Sequence, residues 1–345
     1  MVSRRWRRLV EAHLPQIQEF RHPISLHLLR HRRWLQPNGD FASHRARSKW
    51  AATGWGLCRW LTGHRQPLSL RKISIKWSGD SDAAQALIMS APKLEHLELE
   101  VDDGFRETGW LRELPRLKSL LLSFARLPLT GVPHDRAPAV MQIGRACRHL
   151  TLLSLVTEDS SNQIEDADAV LSLLRACDAL LALEIVGFDD LGLSDIAPDF
   201  RLGLRYFRWD LMGWYLEEGE AEAFLSNCPE LRVLALGTKD QPVLSWGSQD
   251  MAGAARNLEA LWLSGQPLAD HAVWVEGLRA MTSNCRRLRT AYVDATSADV
   301  QLPGDLDCIR LVRPGEDGPD GRFSLWSKPV QDMIRAVDGN GGGRT

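Results

Sequence analysis

Apolar residues recur along most of the chain with the spacing L-x-x-L-x-L. The spacing is fully occupied by leucine at Leu94, Leu97, Leu99, at Leu117, Leu120, Leu122 and at Leu150, Leu153, Leu155. Leucine also fills every position at Leu231, Leu234, Leu236 and at Leu258, Leu261, Leu263. Looser copies occur at Leu70, Ile73, Ile75; Leu180, Leu183, Ile185; Leu204, Phe207, Trp209; Leu288, Ala291, Val293; and Leu306, Ile309, Leu311. Successive first positions are on average about 26 residues apart, so the chain contains ten copies of one unit.

This spacing predicts a short strand in every unit, because the fourth and sixth residues of a strand point to the same side. Helical periodicity between strands, for example over Asp166 to Cys177 and Glu220 to Cys228, predicts helices behind the sheet. We therefore predict an α/β fold, a leucine-rich repeat solenoid of the right-handed horseshoe type, with a concave parallel sheet. Two long intervals predict loops around 133 to 138 and 158 to 163.

Cysteine provides an independent check on the repeat. Four of the six cysteines, Cys147, Cys177, Cys228 and Cys285, each stand three residues before the first leucine of a unit. A shared phase indicates a structural position, a buried thiol where helix meets strand. Successive units would separate the sulfur atoms, so we expect no metal site from them.

The repeat divides the chain into four predicted regions. Residues 1–20 form a short basic helix, whose family resemblance is described below, 21–66 a helical linker and N-terminal cap, 67–313 the repeats, and 314–345 a C-terminal cap with a flexible tail. The linker contains Trp34, Trp50, Trp55 and Trp60, and we predict that these cover the exposed core of the first repeat.

The sequences A-C-R-H-L-T-L-L-S-L at 146–155 and N-C-P-E-L-R-V-L-A-L at 227–236 resemble the cysteine-containing leucine-rich repeats of F-box and related proteins. The string V-S-R-R-W-R-R-L at 2–9 resembles the last helix of an F-box. The resemblance implies the substrate-recognition subunit of an SCF-type ubiquitin ligase, in which Trp6 and Leu9 contact a Skp1-like adaptor. A separate enzyme would transfer the ubiquitin.

The F-box match covers only the last helix of a domain that needs some forty residues. We therefore expect either a further segment upstream of Met1 or a remnant that binds the adaptor poorly. A free-standing leucine-rich repeat scaffold for protein interactions, with no ligase role, is the alternative. Fold alone does not separate the two functions.

Side chains at the third, fifth and seventh positions of each unit are predicted to face the concave surface. His96, Glu98 and Glu100 would form an acidic spot near its N-terminal end. Aromatic and arginine residues, which are enriched at binding hot spots, predict a protein partner on the later strands at Tyr206, Arg208, Trp262, Tyr292 and Arg310. Alternatively these side chains cover the twisted sheet, with Trp262 shielded by a loop.

Charge changes this interpretation little. The net charge is −2, but residues 1–50 contain eleven Arg or Lys against three acidic residues. Because no recognition helix, zinc finger or RNP motif accompanies these cations, we disfavour nucleic acid as a partner.

The sequence contains no P-loop, G-x-S-x-G, H-E-x-x-H or dinucleotide-binding motif, so we predict a protein that is not an enzyme and has no cofactor. No apolar run approaches the roughly 18 residues that span a bilayer. We expect the protein in the cytoplasm, the nucleus or both, without membrane contact.

Overall fold

A computed structural model describes most of the repeat region. The described residues are 19–21, 69–77, 81–101, 109–124, 134–157, 162–164, 166–188, 196, 199–211, 220–238, 256–266, 271–295 and 309–312.

Among these described residues, eleven strands form one sheet, and all neighbouring pairs are parallel. In their order across the sheet they are β1 (Glu19–Arg21), β2 (Lys72–Trp77), β3 (His96–Val101), β4 (Ser119–Phe124), β6 (Leu152–Thr157), β8 (Ala182–Val186), β9 (Tyr206–Leu211), β10 (Val233–Thr238), β11 (Ala260–Gln266), β12 (Thr290–Ala295) and β13 (Ile309–Val312). Spatial order follows chain order, so the fold is α/β, repeating and solenoid-like. Strands β2 to β13 lie within the predicted repeat region, 67–313.

Helices connect several of these strands. They are α1 (Ser81–Met89), α2 (Ala137–Ala146), α3 (Ala167–Ala176), α4 (Glu220–Ser226) and α5 (His271–Asn284), with a 3-10 helix at Gly109–Glu113. The helices predicted over 166–177 and 220–228 are therefore confirmed.

The two predicted loops contain two short paired strands. Strand β5 (His134–Asp135) pairs in parallel with β7 (Asn162–Gln163), and Pro138 lies in the first turn of α2. Proline is compatible with that turn because the first helical N–H groups have no partner within the helix. The prediction of loops at 133–138 and 158–163 was therefore wrong for these short elements.

The fourth positions of the ten predicted units lie side by side across the sheet, which confirms the predicted register. They are Ile73, Leu97, Leu120, Leu153, Leu183, Phe207, Leu234, Leu261, Ala291 and Ile309. Strand β1 extends the register by one, because Phe20 aligns with Ile73. Glu19 and Phe20 belong to the segment 1–20 that was predicted to be helical, so that prediction was wrong at its C-terminal end.

The main core lies between this sheet and the helices. Its members at the first, fourth and sixth positions include the predicted Leu94, Leu97, Leu99, Leu150, Leu153, Leu155, Leu231, Leu234 and Leu236, all buried. Burial of each such side chain contributes about 1.5 to 3 kcal/mol, but only because the neighbouring unit covers it. Helices α2 and α3 pack closely at Gly144, where an added Cβ would lie 2.8 Å from Leu173 Cα.

A recurring turn leads from the helices into the strands. The first leucine of a unit donates its N–H to the carbonyl three residues earlier, as in Leu150 to Cys147 at 3.1 Å and Leu288 to Cys285 at 2.8 Å. In units without cysteine, the backbone carbonyls of Ala91 and Leu114 accept the corresponding hydrogen bond from the first leucine. Small or apolar side chains fit this site because it opens into the core.

The four predicted structural cysteines occupy this turn, and all are buried. Burial raises the pKa of Cys147 and Cys228 to about 12 and that of Cys177 and Cys285 to about 11. The Cys177 thiol donates to the Cys147 carbonyl of the preceding unit at 3.4 Å. These thiols are therefore protonated at neutral pH and pack as small apolar groups.

Adjacent units are also joined through the second residue of each repeat. The Lys118 carbonyl accepts the N–H groups of Thr151 and Leu152 at 2.8 and 3.0 Å. The Thr151 carbonyl then accepts those of Leu181 and Ala182 at 2.9 and 3.1 Å. Each unit thus forms these backbone bonds with its immediate neighbours.

Candidate binding site on the sheet face opposite the helices

The third and fifth residues of each unit lie on the sheet face that points away from the helices, called here the opposite face. Its central part is a second apolar cluster, separate from the main core and formed by Leu152, Ala182, Tyr206, Val233, Ala235 and Trp262. All six side chains are buried. A sheet face that meets only water would leave residues of this size partly exposed, so this region is packed within the chain.

A buried polar network lies among these apolar residues, centred on Glu184. Ser154 and Arg208 flank Glu184 on the neighbouring strands because the three residues share one register position. The Ser154 hydroxyl donates to Glu184 Oε2 at 2.5 Å, and Arg208 Nη1 lies 3.4 Å from Glu184 Oε1. Tyr206 also forms a side-chain hydrogen bond with Glu184. The buried carboxylate is therefore compensated by a cation and by two hydroxyl groups.

Arg208 also contacts an aromatic ring on a strand that is not its neighbour. Its guanidinium carbon lies 4.7 Å from the ring centroid of Trp262. Strand β10 lies between them, with Ala235 in register with both residues. Two strand spacings separate the backbones by roughly 9.6 Å, so the arginine must extend over β10 to reach the ring. The small Ala235 side chain leaves room for that contact.

Burial chiefly raises the pKa of Tyr206 well above its ordinary value, and the Glu184 carboxylate and its hydrogen bond raise it further, while Arg208 lowers it. The phenol is therefore neutral and able to donate at physiological pH. A neutral donor suits a carboxylate that needs hydrogen bonds in a poorly solvated place. The network thus fixes the orientation of four large side chains across β8 to β11.

Three of the five predicted partner residues are buried. Tyr206, Arg208 and Trp262 are only 1%, 8% and 3% exposed. Their burial fits the alternative interpretation, in which they cover the sheet. Tyr292 and Arg310 continue the register from Trp262 in β12 and β13, but their side chains lie outside the described residues. Partner binding by these five residues stays a prediction.

An accessible part of the opposite face lies on β2 to β4, which the sequence analysis did not favour. Its fifth positions are the half-buried Ser74, Glu98 and Leu121. His96 and Glu100 of the predicted acidic spot are also half-buried. The difference from the central part comes from position along the sheet, which residue type alone does not reveal.

Other predicted features lie outside the described residues or find no counterpart within them. Trp6 and Leu9 of the F-box-like string, the tryptophans of the linker and the C-terminal cap are all in undescribed segments. Within the described ranges, no group of three or more His, Cys, Asp or Glu is placed to hold a metal ion. No helix among the described residues has the length and apolarity that a bilayer crossing requires.

Comparison with known proteins identifies no family. No family model matches the chain, and no curated protein matches it. Among solved structures, the chain has a likeness to the complex of Rad7 and Elc1 in yeast, with 13% sequence identity and a TM-score of 0.28. The likeness covers 78% of this chain and 90% of that chain.

Proposed function

We propose that this protein is the substrate-recognition subunit of an SCF-type ubiquitin ligase, built on leucine-rich repeats of the cysteine-containing type. The observation that carries the proposal is the recurring turn, in which cysteine occupies one phase of the repeat and accepts the N–H of the first leucine. The F-box-like string at 2–9 adds the link to an adaptor. Under this proposal the chain binds and positions a protein, and a separate enzyme supplies catalysis.

The accessible part of the opposite face is where we place the partner. Glu98 and Leu121 occupy fifth positions on the neighbouring strands β3 and β4 and are in register. A carboxylate beside a leucine suits a partner with a basic residue next to an apolar one. The central network of Glu184, Arg208 and Trp262 then serves as a rigid support for this surface rather than as the contact itself.

Adaptor binding is tested with the full chain and a purified Skp1-like adaptor and cullin. We expect a stable complex that is lost when Trp6→Ala and Leu9→Ala are combined. Trp34→Ala, a tryptophan outside the F-box-like string, is the matched control and should leave the complex intact. Because the F-box-like string matches only the last helix of that domain, the assay is repeated with any in-frame segment upstream of Met1 added. Failure of both forms to bind the adaptor would contradict the ligase role and favour the free-standing scaffold.

Partner binding is tested separately through ubiquitin transfer. Proteins captured by the chain are added to the reconstituted ligase, and those whose ubiquitylation depends on the chain are kept as substrates. The pair Glu98→Arg and Leu121→Asp should abolish that transfer while the adaptor complex persists. Met89→Glu on α1, at a side chain that is 38% exposed, is the control. Unchanged transfer by the Glu98 and Leu121 variant would remove the proposed contact surface.

A further inference from the structure

The edge of the sheet where the strands begin is strongly basic. All strands of the main sheet are parallel, so the turns and leading residues that precede them lie along this one edge. From β2 to β12, every strand of that sheet except β8 is preceded by at least one Arg or Lys in its turn or leading residue. With about 4.8 Å between strands, the row from β2 to β12 extends over roughly 38 Å.

The cations on three neighbouring strands form the most continuous part of this edge. Lys93 precedes β3, Arg116 and Lys118 precede β4, and Arg148 precedes β6. All four side chains are exposed. Within the described parts of the chain, none of the four forms an ion pair or a side-chain hydrogen bond. We call the whole row of cations the basic edge, and these four residues are its most continuous part.

The row continues at the far end of the sheet. Arg286 and Arg287 form the exposed turn before β12, and Arg289 is its leading residue. Acidic residues interrupt the row at Glu95, Asp178, Glu230 and Glu259. Two of these acids form ion pairs within the row, Glu95 with Arg71 at 3.6 Å and Glu259 with Arg232 at 3.6 Å. Cations therefore outnumber acids along the edge, although the whole chain has a net charge of −2.

Further acids of the sequence follow the strands. In the sequence, acidic pairs come directly after β3 at 102–103, directly after β6 at 158–159 and shortly after β8 at 189–190. A strand of six residues separates its two ends by roughly 20 Å, which exceeds the Debye length of about 8 Å at physiological salt. Charges separated by that distance are therefore largely screened from each other.

We propose that the basic edge binds the phosphate backbone of a nucleic acid. A long row of charges matches a linear polyanion, and most of its cations are arginines, whose planar guanidinium groups bind phosphate oxygens in pairs. One exposed aromatic ring, His149, lies beside Arg148 in the turn before β6, so stacking on bases would add little to the attraction between cations and phosphates. Binding is thus expected to depend on charge and not on base sequence.

This binding differs in kind from the recognition that the sequence analysis disfavoured. The missing recognition helix, zinc finger and RNP motif are devices for reading or stacking bases. Contact with phosphates needs only positioned cations. The basic edge uses none of the residues assigned to the protein partner, so the proposal does not rest on the ligase role.

The test measures fluorescence anisotropy of labelled 20-nucleotide DNA, single-stranded and duplex, with the full chain over a range of salt concentrations. We expect equal affinity for two unrelated sequences. For duplex DNA, each tenfold rise in salt concentration should lower the logarithm of the binding constant by about 0.9 for each phosphate that the protein neutralises. Arg116→Glu, Lys118→Glu and Arg148→Glu combined should weaken binding by about tenfold or more.

A matched control separates the edge from net charge. Arg279→Glu on α5 makes the same charge change at an exposed position away from the turns, and it should reduce affinity much less than Arg116→Glu alone. Circular dichroism checks that the variants are folded. Equal losses for Arg116→Glu and Arg279→Glu, or unchanged binding by the triple variant, would overturn the proposal.

Two further probes distinguish the source of the anion. An acidic peptide of glutamates and vesicles containing phosphatidylserine are measured under the same conditions. Binding of either probe by the basic edge without binding of DNA would assign the edge to a protein or a membrane and so overturn the nucleic-acid proposal. Preferential binding of DNA that is lost in the triple variant would support it.

Discussion

The carboxylate of Glu184 lies 3.4 Å from the guanidinium of Arg208, and both side chains are buried on the opposite face. Removal of one partner leaves an uncompensated charge in a poorly solvated place. We therefore expect Glu184→Ala to lower the free energy of unfolding by about 3 to 5 kcal/mol, measured by urea denaturation.

The control for this prediction removes both charges at once. Glu184→Leu combined with Arg208→Met replaces the pair with apolar groups of similar size, and it should be closer in stability to the unaltered chain than Glu184→Ala. If the double variant were the less stable of the two, the uncompensated charge would not be the cause of the loss.

Ala235 allows Arg208 to reach Trp262 across β10. A larger side chain there would occupy the space that the guanidinium uses, so we expect Ala235→Leu to cost about 1 to 3 kcal/mol of stability. Ala260→Leu, at a half-buried position on β11, should cost less. Thermal unfolding of both variants provides the comparison, and an equal loss would contradict the role given to Ala235.

Leu97 and Leu234 occupy equivalent positions in two distant units and are completely buried. Leu97→Ala and Leu234→Ala should each lower the free energy of unfolding by about 2 to 5 kcal/mol, because each leaves a cavity between strand and helix. Met89→Ala, at an exposed position, should change stability by less than about 0.5 kcal/mol. Normal unfolding curves for both leucine variants would contradict the repeat register.

The buried thiols make stability depend on alkaline pH. Their pKa rises from an ordinary value of 9.0 to about 11 or 12 in the folded chain. The folded state therefore keeps protons that the unfolded state loses, and stability that is fully present below pH 9 falls as the pH rises toward 11 and 12. The slope approaches about 1.4 kcal/mol per pH unit for each thiol.

Denaturation at pH 8, 9, 10 and 11 measures this slope. Cys228→Ala should show a shallower decline than the unaltered chain because it removes one of the four groups. Parallel declines in the two proteins would mean that other groups cause the alkaline loss.

The sequence predicts the repeat well because its cause is local. Leu150, Leu153 and Leu155 must enter the core for their unit to be stable, and their spacing is visible without any knowledge of distant residues. Strand β1 was missed because its copy of the pattern is incomplete. Ile17 and Phe20 match the first and fourth positions, but His22 stands where the sixth should be apolar.

Accessibility on the opposite face could not be predicted in the same way. Tyr206, Arg208 and Trp262 belong to residue types that are frequent both at binding hot spots and in buried polar networks. Only the packing of the whole chain determines which of the two they form. Glu184 contained a usable signal, since an acidic fifth position directly beside Ser154 and Arg208 in the register predicts that the three interact.

In the described repeats, the backbone carbonyl of the second residue of a unit accepts hydrogen bonds from two N–H groups of the next unit. This pattern limits how such a chain can change in length. The N–H groups of Thr151 and Leu152 donate to the Lys118 carbonyl, and two N–H groups of the next unit donate to the Thr151 carbonyl. The hydrogen bonds between these successive units are therefore of the same kind. Removal of one whole unit would bring equivalent donors and acceptors together again. Gain or loss of entire repeats is therefore compatible with the backbone, whereas a shift of a few residues within a strand is not.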